Sequence, residues 1–206
     1  MRAALLAIAA ALLLPLAPAA AADEVVVTPA LVATVQNAIR WRAPAWDQQI
    51  VEEVAAAMNA TPEPATMLAI AVLESDLRPR AVAKHTRASD GTTVVDVGLC
   101  GVRCVVGPDG RCTNEPVRGL TAAKLEDPIL NVLAAAMVLQ LKRATLGRRA
   151  LAGYNGDVDG SNRYGESVRA IVAALGGTIE VSHVKKPRVR RLARLIAAAV
   201  LKARNS

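Results

Sequence analysis

The apolar positions of this chain change period several times, and each change predicts an element. Met67-Leu68-Ala69-Ile70-Ala71-Val72-Leu73 is a run of seven apolar residues, followed at once by Glu74-Ser75-Asp76. A surface helix shows polar residues every third or fourth position, so this run reads as a helix buried on most of its faces. Pro79 cannot continue it and disfavours the helical conformation at Arg78, which puts Glu74 in or near the last turn. Upstream, Ile50, Val51, Val54, Ala55 and Met58 recur at helical spacing with Glu52 and Glu53 outward, predicting a helix packed on the next. Downstream, Asp127-Pro128 pairs a capping side chain with a proline suited to the first turn, and starts a helix. Ile129, Val132, Leu133, Ala136, Met137, Leu139 and Leu141 give that helix a wide apolar face, and it ends by Gly147 as a central core helix. Tyr164, Val168, Ile171, Val172 and Leu175 form the face of another, closed by Gly176-Gly177. The threonines and valines of Thr92-Thr93-Val94-Val95-Asp96-Val97 suggest a short strand, and the turn between Cys104 and Cys112 a small hairpin. After Pro79, residues 80–91 read as a loop. The expected fold is mainly α, a helical domain with one small β-hairpin excursion.

Length and composition divide this pattern further. At 206 residues and 53% hydrophobic, the chain supports one domain with a real core. Met1-Arg2, an apolar stretch to Leu14 and a small-residue end at Ala19-Ala20-Ala21-Ala22 predict a secretory signal peptide over residues 1–22, cleaved after Ala22. The mature protein is then expected in the periplasm or outside the cell, where disulfides persist. Residues 23–45 form a leader that packs on the domain, with a weakly helical segment over residues 30–40. The main domain is expected over residues 46–180 and a separate helix over residues 181–206. Trp41 and Trp46 stand out in a chain with no Phe, either as a platform for sugar rings or as plugs of an aliphatic core. Of three cysteines, Cys104 and Cys112 flank a Gly-Pro-Asp-Gly turn and are the expected disulfide; pairing of Cys100 with either stays open. His85 and His183 lie far apart, and no metal-ligand spacing is present.

The final helix changes the charge picture. Lys185, Lys186, Arg188, Arg190, Arg191, Arg194, Lys202 and Arg204 occur with no acid among them, so the net charge of +7 belongs to this segment. Val189, Leu192, Ile196, Ala199, Val200 and Ala203 recur at helical spacing between them. Such a basic amphipathic helix suits an anionic membrane face or anionic wall polymers, or else docks its apolar side on the domain. A basic helix also fits nucleic acid, but the signal peptide argues against that partner.

The candidate chemistry centres on Glu74. Apolar neighbours and the negative end of the helix dipole both disfavour a carboxylate, so this acid should keep its proton to higher pH than a free glutamate. A general acid needs that property. Asp96 is the nearest candidate for a second carboxylate, or else a loop acid, and Asp76 is expected to point away from Glu74.

Several elements together resemble a family. Glu74-Ser75 with Leu77, Pro79 and Ala81-Val82 resembles the Glu-Ser-x-hydrophobic-x-Pro element of the soluble lytic transglycosylases, lysozyme-like enzymes that cut bacterial peptidoglycan. Gly98-Leu99 resembles the start of that family's Gly-Leu-Met-Gln segment, Asp127-Pro128 with Asn131 its Asp-Pro-x-x-Asn helix start, and Tyr164 with Val168 its closing helix. Ala152-Gly153-Tyr154-Asn155-Gly156 is similar to its Ala-Tyr-Asn-Ala-Gly element, with the small-residue run one residue tighter. The chain departs from the family at Cys100-Gly101, where Met-Gln is usual and the glutamine reaches toward the sugar.

The resemblance implies a lysozyme-like α+β fold and cleavage of the β-1,4 bond between N-acetylmuramic acid and N-acetylglucosamine, with a 1,6-anhydro end as product. It implies Glu74 as acid and then base, Ser75 positioning substrate or Glu74, Gly98 and Leu99 lining the cleft, and Tyr154 and Asn155 orienting Glu74 and the glycan. No cofactor is implied, and the partner is the peptidoglycan glycan strand. A water-using muramidase, an inactive glycan-binding module suggested by Cys100-Gly101 and a membrane-associated scaffold suggested by the basic tail are the other readings.

Overall fold

The computed structural model describes residues 25–39, 46–85, 92–156, 163–179 and 184–206. The expected signal peptide, Trp41 and His183 lie outside them. In chain order the elements are α1 (Pro29–Ile39), α2 (Gln48–Asn59), α3 (Pro64–Ser75), β1 (Val82–His85), β2 (Thr93–Val97), β3 (Val102–Val106), α4 (Ala122–Leu125), α5 (Pro128–Leu146), α6 (Ala150–Tyr154), α7 (Arg163–Leu175) and α8 (Pro187–Arg204). The protein is mostly helical, with a small three-stranded antiparallel sheet.

Capping chemistry fixes the helix starts where the sequence pattern predicts them. Asp47 accepts from the Ile50 N–H at 2.8 Å, and Asp127 accepts from the N–H groups of Ile129 and Leu130 at 3.0 and 2.9 Å. Each satisfies donors that the first turn leaves without partners. Pro64 begins α3 for the complementary reason, having no N–H to leave unpaired. Helix α3 buries Met67 through Val72 without interruption, so it runs through the core and not along its surface. Glu63, at its start, meets Arg143 of α5 in two hydrogen bonds of 3.1 and 2.9 Å.

Around α3 the helices form one continuous apolar core. Helix α7 packs on α3, α8 packs on α7 and α1, and α5 packs on α2 and α6. The basic C-terminal helix is therefore docked: Val189, Leu192, Ala193, Ile196, Ala197 and Val200 are buried, and its charged side chains are exposed. Each large aliphatic side chain so buried contributes about 1.5–3 kcal/mol relative to exposure. The leader also joins the core, where Val27 exchanges two hydrogen bonds with the Asn59 amide at 3.1 and 2.6 Å. Helix α5 shows a narrower buried face than its pattern suggests, with Leu141 exposed on the far side.

The sheet differs from the sequence expectation in two ways. The hairpin is β2–β3, turning over residues 98–101 in a register that pairs Val97 with Val102 and Asp96 with Arg103. It precedes the small hairpin expected at the Cys104–Cys112 turn, which is also formed: Val106 bridges Cys112 antiparallel. The buried Asn131 amide ties the β2–β3 turn to the start of α5. In addition, β1 pairs along β2 where the sequence reads as loop, since Val82-Ala83-Lys84-His85 carries no clear alternation. Beyond β3, the Gly-Pro-Asp-Gly segment closes a turn with the Gly107 N–H on the Arg111 carbonyl at 2.8 Å. The Cys104–Cys112 disulfide is formed across it, and Cys100 is a buried free thiol.

Candidate active site at Glu74

Glu74 lies in the last turn of α3, and three elements meet there. One is the β2–β3 turn. Asn131 of α5 is fully buried; its Nδ2 donates to the Val97 and Leu125 carbonyls, both at 2.8 Å, and its Oδ1 accepts from the Cys100 N–H at 2.7 Å. A complete set of partners on a buried amide makes this turn rigid. Gly98 adopts φ +79°, and a Cβ there would collide with the Asn131 amide and the Leu125 carbonyl. Gly101, at φ +62°, is pressed against the acid: a Cβ on it would lie 3.0 Å from Glu74 Oε2 and 3.1 Å from Glu74 Cβ. The acid therefore rests on bare backbone.

The second element is the pair of tyrosines. Tyr154, ending α6, donates from its hydroxyl to the Cys100 carbonyl at 2.8 Å, so it grips the same turn from the other side. Its ring stacks on Tyr164 of α7, with centroids 6.4 Å apart and planes 10° from parallel. The Tyr164 hydroxyl is buried and stands beside the Glu74 carboxyl, with no hydrogen bond of strict geometry to any described group. Burial holds both phenols well above their usual range, so they act as donors and not as anions.

The third element is charge. Burial raises Glu74 above the usual carboxylate range. The Tyr164 hydroxyl opposes this, the negative charge of Asp96 adds to it, and the positive charges of Arg103 and Lys186 oppose it. Asp96 and Arg103 face each other across β2 and β3 in two hydrogen bonds of 3.0 and 3.3 Å. The result is an acid that burial shifts toward its protonated form, beside a hydroxyl and two positive charges that favour its carboxylate.

The other residues singled out in the sequence fall around this centre. Ser75 is buried, with its hydroxyl donating to the Ala71 carbonyl at 2.9 Å and accepting from the Arg78 N–H at 3.1 Å. It braces the turn that follows Glu74. Gly98 and Leu99 are fully covered, so they form the support beneath Gly101 and do not present a surface of their own. Asn155 is exposed at the end of α6. Asp76 turns away from Glu74 and pairs with Arg188 of α8. Trp46 packs its ring against the core. Among the described residues no three His, Cys, Asp or Glu side chains gather as a metal site.

Asn131, Gly101, Arg103 and Tyr164 are the members that residue type alone does not single out. The doublets Asp127-Pro128 and Gly98-Leu99 were the available signals for the first, since they bracket the contact Asn131 makes. A shallow hollow of about 460 Å³ lies on α8, lined by Pro187, Arg190, Arg191, Arg194 and Leu195. Comparison with protein-family models, curated proteins and solved structures returns no match for this chain.

Proposed function

We propose that this protein is a peptidoglycan lytic transglycosylase with a lysozyme-like fold, and that Glu74 is its acid and then its base. The observation that carries the reading is the placement of one carboxyl at the end of a buried helix, raised by burial and resting on the Gly101 backbone beside Tyr164. The ordered motif resemblance from Glu74 to Val168 supplies the reaction class.

In the first step Glu74 gives its proton to the glycosidic oxygen as the bond to the muramic acid C1 breaks, and N-acetylglucosamine leaves with a free 4-hydroxyl. By the resemblance, the substrate's own N-acetyl group assists departure. In the second step the muramic acid 6-hydroxyl attacks C1 and loses its proton to the Glu74 carboxylate, closing the 1,6-anhydro ring and restoring the acid. An intramolecular hydroxyl has the effective-concentration advantage that replaces a second carboxylate. Between the steps the carboxylate is favoured by the Tyr164 hydroxyl and by Arg103 and Lys186. Asn155, exposed beside the site, is the side chain that meets the glycan. The basic outer face of α8, with its arginine-lined hollow, suits anionic wall polymer or an anionic membrane.

One observation favours a second reading. The Asp96 carboxylate is close enough for its charge to act on Glu74, and two carboxylates are the usual equipment for hydrolysis by water. The bidentate contact with Arg103 speaks against a base role, because it engages both carboxylate oxygens.

The test is digestion of purified sacculi. Wild-type protein should release anhydro-muropeptides, and Glu74→Gln should lower release at least about 10³-fold, the upper scale for losing a group that moves protons, with far-UV dichroism retained. Sacculus binding without release by the wild type would instead assign a glycan-binding module.

A further inference from the structure

Helix α3 ends on two consecutive non-glycine residues with left-handed backbone, Asp76 at φ 51° and Leu77 at φ 58°. Side chains of L-residues crowd the following carbonyl in that region, so the conformation persists only where surroundings hold it. Glu74 is two residues before it, and the direction of the Glu74 side chain depends on where the helix stops.

Local bonds hold part of this turn. The Asp76 and Leu77 N–H groups return to the Val72 and Ala71 carbonyls at 3.2 and 3.3 Å, and the Leu77 side chain is wholly buried. The Asp76 carboxylate joins a distant element instead. Arg188 Nη2 donates to both its oxygens, at 2.8 and 2.9 Å, across 112 residues of sequence. The Asp76 side chain is only 13% exposed. Arg188 sits in the first turn of α8, next to buried Val189 and shortly after buried Val184. The same helix packs on α7, which carries Tyr164 to the other side of the acid. One docked helix thus contacts both the turn after Glu74 and the support of its neighbouring phenol.

We propose that Arg188 is a positioning residue for Glu74, which makes the C-terminal helix part of the active site. This rests on the reading of Glu74 as the reacting acid. The arginine touches no reacting atom; through Asp76 it fixes the stop of α3, and so the carboxyl's place on the Gly101 backbone. Lys186, two residues earlier, brings a further positive charge to the site from the same helix start.

Two measurements on full-length protein test it: turnover of soluble glycan, and amide hydrogen exchange at Asp76, Leu77 and Arg78. In Arg188→Ala, kcat should fall about ten-fold with KM within about two-fold, since misplacement of a reacting group acts on the chemical step. Asp76→Asn should match it, the double variant should fall no further, and Arg188→Lys should recover most of the rate. Exchange at the three amides should quicken about ten-fold in Arg188→Ala, while amides within α5 stay as in wild type. An unchanged kcat, unchanged exchange, or losses that add in the double variant would each overturn the proposal. If the wild type itself releases no product, the transglycosylase reading fails, and the exchange data still decide whether Arg188 holds the turn.

Discussion

At the end of α3 the half-buried Glu74 carboxyl rests on the Gly101 backbone and faces a phenol, whereas on β2 the Asp96 carboxylate meets a guanidinium in two hydrogen bonds. Both are acids in one small region, and the charge of Asp96 raises Glu74 further. At Glu74 burial disfavours the charged form. The β2–β3 hairpin supplies an ion pair and the backbone wall at Gly101, and in the proposed mechanism α3 supplies the proton.

The largest way to break this contrast is to fill the wall. Gly101→Ala places a methyl group 3.0 Å from Glu74 Oε2 on a backbone at φ +62°, so the carboxyl has to move. The shift needed is a few tenths of an ångström, so kcat should fall by up to about 10²-fold, the scale for a full ångström of misplacement, with initial rates on soluble glycan as the measurement. A rate equal to wild type would mean that the wall does not position the acid.

A smaller change sharpens the electrostatics. In the proposed mechanism Glu74 works protonated as general acid, so activity should be lost as pH rises through its pKa. The groups acting on it are the Tyr164 hydroxyl from α7, Asp96 from β2, Arg103 from β3 and Lys186 at the start of α8. Asp96→Asn removes a negative charge and leaves the Arg103 charge less compensated, and both effects lower the Glu74 pKa. The alkaline limb of kcat/KM should move to lower pH. A shift upward would contradict the assignment, and complete loss of release would favour Asp96 as the base of a hydrolase.

The smallest effect is on stability. A carboxyl whose folded pKa is raised contributes stability that is present in full below its unfolded pKa and lost as pH rises through the folded one. Glu74→Gln should therefore show a higher Tm than wild type at neutral pH. The gap should close as pH falls below the ordinary carboxylate range, as followed by thermal melts across pH. A lower Tm at neutral pH would show that the charged form is the one the fold favours.

Local features of this protein were legible in the sequence, and contacts across long separations were not. The buried character of α3, the Asp127 cap and the Cys104–Cys112 bridge each follow from residues near one another in the chain. Strand β1 was hidden because four residues without alternation pair only through a neighbour already in place. The Asn131 amide reaches Cys100 and Val97 across 31 and 34 residues, and its burial and bonding emerge only when α5 and the sheet meet. Cys100-Gly101 read as the loss of a glutamine. In the fold, Gly101 is where the acid rests, and the space that a side chain would occupy is already filled by Glu74. The basic tail read equally as a surface binder or a docked helix, because an amphipathic pattern does not say which surface its apolar side meets. Its buried valines and leucine meet α7 and α1.

The proposed mechanism needs a single proton-carrying group and no water. The most direct measurement is mass spectrometry of the fragments released from sacculi digested in water enriched in oxygen-18. Muramic acid ends should be one water lighter than reducing ends and carry no heavy oxygen. Reducing ends that have taken up oxygen-18 would contradict it.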